Sequence, residues 1–242
     1  MTSYARRRLL SLAKPSVDLR PLLSGGVRTQ GLRPLCLPFS VSAAHEAARA
    51  LMVDATPEAL AVEPLWQHCV LAGEASQVGT TLSAVVDAAV TTGQTTEAIW
   101  PYNATLGAGT EPTPAAAARA PFMTTGLIAV PLAHDGVEEP IELALNAGLP
   151  VVLVLELTAE FEQPGTAGEI AMPPLTAPVS DYHAVVAVGA ATIADGSVRR
   201  LLIRNSWGHG WGAGGYGWLP YDYLVSFAVQ ASVVEPSSLA SR

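Results

Sequence analysis

The thiol, imidazole and carboxamide groups of this chain fall in a pattern that suits nucleophilic acyl chemistry. Cys36 follows the loop Gln30-Gly31-Leu32-Arg33-Pro34-Leu35 and opens an alanine-rich stretch that reads as a helix. Pro38 falls in its first turn, where a missing N–H costs no hydrogen bond. A thiol at a helix N-terminus feels the positive end of the dipole, which is expected to lower its pKa and favour the thiolate. Without such a setting a free cysteine is more often a small buried hydrophobe. A thiolate nucleophile also needs a base, a group that orients the base, and donors for an oxyanion. Of the five histidines, His183 is best placed, at the start of an apolar strand after the loop 173–182. Asn205 ends another strand in Arg204-Asn205-Ser206-Trp207-Gly208. Its side chain is expected to accept a hydrogen bond from His183 Nδ1 while Trp207 shields that bond from water.

The other reactive groups read more plainly. Cys69 sits beside Trp66 and His68 on an expected helix and is assigned to the core. Neighbours in sequence point to different faces of a helix, so His68 and Cys69 do not form a zinc pair. His45, His134 and His209 have no partner pattern and are expected to be solvated. The glycines between Gly208 and Gly217 precede neither a lysine nor a helix, which favours a tight hairpin over a phosphate loop. Glu138-Glu139 reads as the negative first turn of a helix. No metal and no cofactor is implied.

These groups need elements to hold them. The chain to about Tyr102 reads helical, with helices predicted over 36–52, 57–71 and 80–90, the last opened by Gly79-Thr80 and closed by Gly93. A Pro/Ala stretch at 111–121 reads as a loop or hinge. Strands are predicted over 126–132, 150–157, 183–188 and 198–204, interrupted by one short helix at 139–147. Helices first and strands later imply an α+β protein. The expectation is a single domain over 1–242 whose lobes, helical at about 21–122 and β-rich at about 123–235, enclose a cleft.

Composition narrows the class. Half of the 242 residues are hydrophobic and only 14% are charged, which excludes disorder for the bulk of the chain. The net charge of −8, with Lys14 the only lysine, argues against a nucleic-acid partner. The best apolar run, 148–155, is far below the ~18 residues that span a bilayer, so no membrane partner is expected. Arg6-Arg7-Arg8 followed by residues 9–13 imitates a leader, but its apolar part runs into Lys14-Pro15 short of the usual length of roughly 7 to 15, and is read as a coincidence. Two cysteines cannot build a multi-bridge scaffold, so a reducing cytoplasm is the expected location.

The motifs resemble those of the papain-like cysteine peptidases. Gln30-Gly31 ahead of Cys36, then Phe39-Ser40, is similar to the family's Q-G-x4-C-x-x-F-S loop. Tyr182-His183-Ala184-Val185 with Val188-Gly189 is similar to its histidine strand. Asn205-Ser206-Trp207-Gly208, continuing through Gly210-Trp211-Gly212 and Gly215-Tyr216-Gly217, is similar to its N-S-W-G-x-G-W-G-x-x-G-Y segment. Val17-Asp18-Leu19-Arg20 looks like the start of a mature enzyme and Trp100-Pro101-Tyr102 like the family's Y-P-Y turn. The likeness covers roughly 17–225. It implies a papain-like two-lobe fold, with a helical N-terminal lobe, a β-barrel-like C-terminal lobe and the active-site cleft between them.

The resemblance also implies roles. Cys36 would be the nucleophile, His183 the proton shuttle, Asn205 the residue that orients it, and Gln30 an oxyanion donor beside the Cys36 N–H. Trp207, Gly79 and Ala184 would touch substrate, Gly79 through its backbone. The family's Cys-Gly-Ser-Cys-Trp is here Arg33-Pro34-Leu35-Cys36-Leu37, so Arg33 stands where a disulfide cysteine is usual and Pro34 where a glycine is. With ~16 residues before Val17, a long inhibitory propeptide is not expected. The reading is a cytoplasmic cysteine peptidase that hydrolyses peptide bonds through a thioester, with a peptide or protein as its partner. Acyl transfer on the same fold, or a binding module that has lost activity, are its alternatives.

Overall fold

Alanine content decides how closely the first helix can approach the sheet. Over Cys36–Met52 (α1) every side chain from Leu37 to Ala48 is buried, and Ala43, Ala44, Ala47 and Ala48 let the helix lie tightly between its neighbours. The computed structural model describes residues 14–52, 56–107, 123–132, 136–193 and 198–241. The leader-like start, the Pro/Ala stretch and His134 lie outside them.

The next helices are shorter than predicted, for visible reasons. Helix α2 is Glu63–Leu71, since the preceding residues run extended: Leu60 bridges Thr96 and gives its N–H to the buried Glu46 carboxylate at 3.0 Å. Helix α3 is Leu82–Thr91, capped by Thr81, whose Oγ1 accepts the Ala84 N–H at 3.2 Å. Helix α4 spans Glu138–Asn146 with both glutamates in its first turn, and α5 is the single turn Ala159–Glu162.

The sheet is antiparallel. Strands β1 (Val17–Asp18), β3 (Leu127–Ala129), β4 (Val151–Glu156), β5 (Tyr182–Ile193), β6 (Val198–Arg204), β7 (Tyr216–Pro220) and β8 (Ala228–Val234) take the order β3-β8-β4-β5-β6-β7, with β1 added to β5 where β4 stops. That junction requires a glycine, because a Cβ on Gly189 would meet the Val17 carbonyl at 2.5 Å. Predicted strand 126–132 is reduced to β3, and the strand expected at 183–188 continues to Ile193. Helix α6 (Tyr221–Phe227) and strands β7 and β8 follow a region whose sequence had suggested only a hairpin. The last strand, β9 (Ala240–Ser241), leaves the large sheet and pairs with β2 (Met123–Thr124).

The core lies between α1 and the faces of β4 and β5. Charges inside it are paired: Arg28 with Glu46 at 3.0 Å, and Arg199 with Glu142 at 2.9 Å. His45 is not solvated as expected. It is fully buried on α1, its Nδ1 lies 3.1 Å from Gln94 Oε1, and burial drives its pKa down to about 4. Its partner Gln94 lies 49 residues further along the chain, so local sequence does not point to it. His209 is exposed, as expected. No helix among the described residues is long and apolar enough to cross a membrane.

Candidate active site

A cleft of about 630 Å³ opens where the start of α1 meets the sheet. Pro34, Cys36 and Leu37 line one side, and His183 and Ala184 at the start of β5 the other. Gly79 closes one end. The backbone N–H groups of Ala184 and Leu37 lie toward the Cys36 thiol, which places it between the helix N-terminus and the histidine strand.

The histidine is held from behind. His183 is buried, and its Nε2 lies 2.7 Å from Asn205 Oδ1 at the end of β6. The same Oδ1 accepts the Ser206 N–H at 2.7 Å. An oxygen already taking one N–H must be the acceptor for the ring as well, so Nε2 carries the proton. That leaves the Nδ1 lone pair for the cleft. The sequence reading had assigned Nδ1 to the asparagine; the strand geometry turns the ring the other way. Trp207 stacks on the imidazole, with centroids 4.5 Å apart and planes 36° apart, and Phe161 packs on it at 6.1 Å. Trp207 therefore covers one face of the His183 ring that Asn205 holds.

Gln30 is oriented by three residues, Ser206, Arg33 and Tyr102. Its Oε1 accepts the Ser206 hydroxyl at 2.6 Å, and its Nε2 donates to the Arg33 carbonyl at 2.9 Å. Its backbone N–H donates to the Ser206 carbonyl at 2.8 Å, and its carbonyl accepts the Tyr102 hydroxyl at 2.6 Å. Ser206 thus makes the oxygen end of the carboxamide an acceptor and turns the amide end away, leaving one N–H of that amide for a ligand oxygen.

The electrostatics correct one expectation. Burial pushes the Cys36 thiol up, against the nearby Ala184 and Leu37 backbone N–H groups; Asp181 adds to the rise. The helix start is there, but desolvation outweighs it. Burial likewise drives His183 down to about 4, with Asn205 and Asp181 opposing. Both shifts favour an uncharged pair at rest. Gly79, at φ +130°, lines the cleft with its N–H and carbonyl both engaged with Ser76.

A family profile described as papain family cysteine protease matches residues 14–235. The chain belongs to the papain family. As a family member it is a cysteine peptidase, a hydrolase whose substrates are peptides or proteins. Solved structures share its fold. Xylellain, a cysteine protease from Xylella fastidiosa, is 22% identical with a TM-score of 0.74, over 93% of this chain and 88% of that one. The Carica candamarcensis cysteine protease CMS1MS2, in complex with E-64, is 24% identical with a TM-score of 0.66, over 91% and 98%. Bromelain from Ananas comosus, in complex with the same inhibitor, is 18% identical with a TM-score of 0.66, over 94% and 100%. Comparison with curated protein sequences gives no match.

Three residues of this papain-family site escaped the sequence reading. Ser206 was quoted only as part of a motif, although its hydroxyl fixes Gln30. Tyr102 was read as a turn residue, although it holds the Gln30 carbonyl. Phe161 lies on the one-turn helix α5 and was not singled out. Only Ser206 carried a signal, as a hydroxyl beside the orienting asparagine.

Proposed function

We propose that Cys36 is the nucleophile and His183 the proton shuttle of a peptidase working in a reducing cytoplasm. The observation that carries this reading is the doubly used Asn205 Oδ1, which leaves His183 Nδ1 as a base facing the cleft that Cys36 lines. The thiol proton moves to Nδ1 as sulfur attacks the substrate carbonyl carbon, forming the C–S bond. The oxyanion is met by the Cys36 N–H and the Gln30 amide. Collapse breaks the C–N bond, and the amine leaves with the proton from His183. Water then attacks the thioester, giving its proton to the same ring, and the acid departs with the thiol restored.

Asn205 holds the ring in the active tautomer, and Ala184 forms the wall beside the sulfur. Free Cys36 and Cys69 support a reducing location, and the acidic balance of the chain supports substrates other than nucleic acid. Acyl transfer and binding without catalysis have no observation in their favour. The test is turnover of a peptide library by purified protein, read by mass spectrometry. Cys36→Ala and His183→Ala should abolish cleavage, while Asn205→Ala should leave measurable activity, because it removes only the orienting group. Equal cleavage by Cys36→Ala and the wild type would refute the assignment.

A further inference from the structure

The guanidinium of Arg33 is buried and makes a two-pronged ion pair with Glu63, whose side chain is equally hidden. Nη1 donates to Oε1 at 2.5 Å and Nη2 to Oε2 at 3.0 Å. Glu63 is the first residue of α2, and its Oε1 also accepts the Asn103 N–H at 2.9 Å. Arg33 Nη1 returns a hydrogen bond to the Asn103 carbonyl at 2.9 Å, and the Tyr102 ring lies 4.9 Å from the guanidinium carbon. Three segments that are distant in sequence therefore meet at one fork: the loop before Cys36, the first turn of α2, and the turn at 102–103.

The other end of Arg33 reaches the site. Its main-chain carbonyl accepts the Gln30 Nε2 amide and the Leu35 N–H, both at 2.9 Å. The carbonyl that aims the oxyanion donor thus belongs to the residue whose side chain is clamped most firmly into the helical half. Tyr102 couples the two from the other direction, stacking on the guanidinium while its hydroxyl holds the Gln30 carbonyl. A buried ion pair is often matched in stability by apolar residues of the same volume, so its distinctive contribution here is directional. A carboxylate and a guanidinium admit one planar register, and an apolar pair admits many.

We propose that Arg33 and Glu63 are positioning residues for the oxyanion donor Gln30. The ion pair fixes the Arg33 carbonyl, and the carbonyl fixes the amide that meets the substrate oxygen. This rests on the reading of Cys36 and Gln30 given above. The pair keeps its register when every thiol is reduced, which suits a loop that closes without a cysteine at position 33.

The test compares the wild type with Arg33→Met/Glu63→Met, a variant that leaves no buried charge unpaired and whose folding is checked by its melting temperature. Activity is expressed per active site titrated with E-64. Three quantities are measured: peptide kcat and KM, the inhibition constant of a peptide aldehyde, and the rate of Cys36 alkylation by iodoacetamide. The aldehyde adduct places an oxygen on the oxyanion donors, whereas alkylation does not. Loss of aim should lower kcat by roughly tenfold, part of what removing a whole donor costs. KM should stay within about twofold and the aldehyde should weaken in step with kcat, with the alkylation rate unchanged. On a Gln30→Ala background the same double change should cost nothing further, because its target is gone. Arg33→Lys, which keeps the charge without the fork, should fall between. Unchanged kcat per titrated site, or an equal loss on the Gln30→Ala background, would overturn the proposal. A wild type that neither cleaves peptides nor binds the aldehyde would overturn the peptidase reading as well.

Discussion

Lowering the pH from 7 to 5 should destabilise this protein through two histidines that are buried in the native state. His45 and His183 are buried, and each has a pKa driven down by burial to about 4. In the unfolded chain each returns to about 6.5. Between these values the unfolded state binds more protons than the folded one, so stability rises with pH across the window and is lost as pH falls through it. Evaluated at pH 7 and pH 5, the difference is about 2 kcal/mol per histidine, or roughly 4 kcal/mol together, which is a large share of a typical domain's stability. Carboxylates with lowered values, such as Asp18 against Arg20, add their loss only at lower pH. The assay is urea unfolding at pH 7, 6 and 5 at fixed ionic strength, on Cys36→Ala to prevent self-digestion. His45→Gln, which keeps an N–H donor toward Gln94, should remove about half of the slope. Stability that stays flat from pH 7 to pH 5, or a slope that His45→Gln leaves intact, would refute the reasoning.

Three further outcomes are expected. Iodoacetamide or E-64 should label Cys36 much faster than Cys69, which is fully buried on α2; peptide mapping after brief labelling of native protein reads the ratio. Gln30→Ala should lower kcat by roughly 10²–10³, as for other oxyanion donors, and Ser206→Ala should cost less because it only loosens the carboxamide; steady-state kinetics rank the two. A reducing agent should leave the melting temperature unchanged while restoring activity lost to thiol oxidation, since both cysteines are free; calorimetry with and without reductant checks it.

The sequence exposed those parts of the molecule that are governed by local rules. The alanine-rich composition marked α1 to the residue, the continuous apolar run marked β4, and the short apolar stretch among arginines at 198–204 marked β6. Cys36, His183 and Asn205 were legible because each sits at or beside the end of an element, where a side chain can be aimed, and Gln30 because of its place in the loop before Cys36. What escaped depended on long-range contacts. Whether the imidazole presents Nδ1 or Nε2 to Asn205 follows from how β5 lies beside β6, and no spacing reports it. The thiol pKa was misjudged because the helix start is visible in the sequence and the desolvation is not. His45 appeared solvated because its partner, Gln94, is far along the chain. Residues 221–234 carried no turn signal strong enough to divide a short helix from the strand that follows it.

The two ends of the described chain are stitched into opposite halves. Val17 and Asp18 lie on β5, and Arg199 grips the Lys14 and Pro15 carbonyls just before them. Ala240 and Ser241 return to β2, beside the Gln94–Met123 bridge that follows α3. The β-rich half therefore takes a strand from the start of the chain, while its own last strand closes on β2 against the helical half. During synthesis β1 leaves the ribosome long before β5 exists to receive it, so the β-rich half is not a finished folding unit on its own. A break in the linking segment would leave the β-rich fragment without β1, which gives the two fragments reason to reassociate and to regain the site only as a pair.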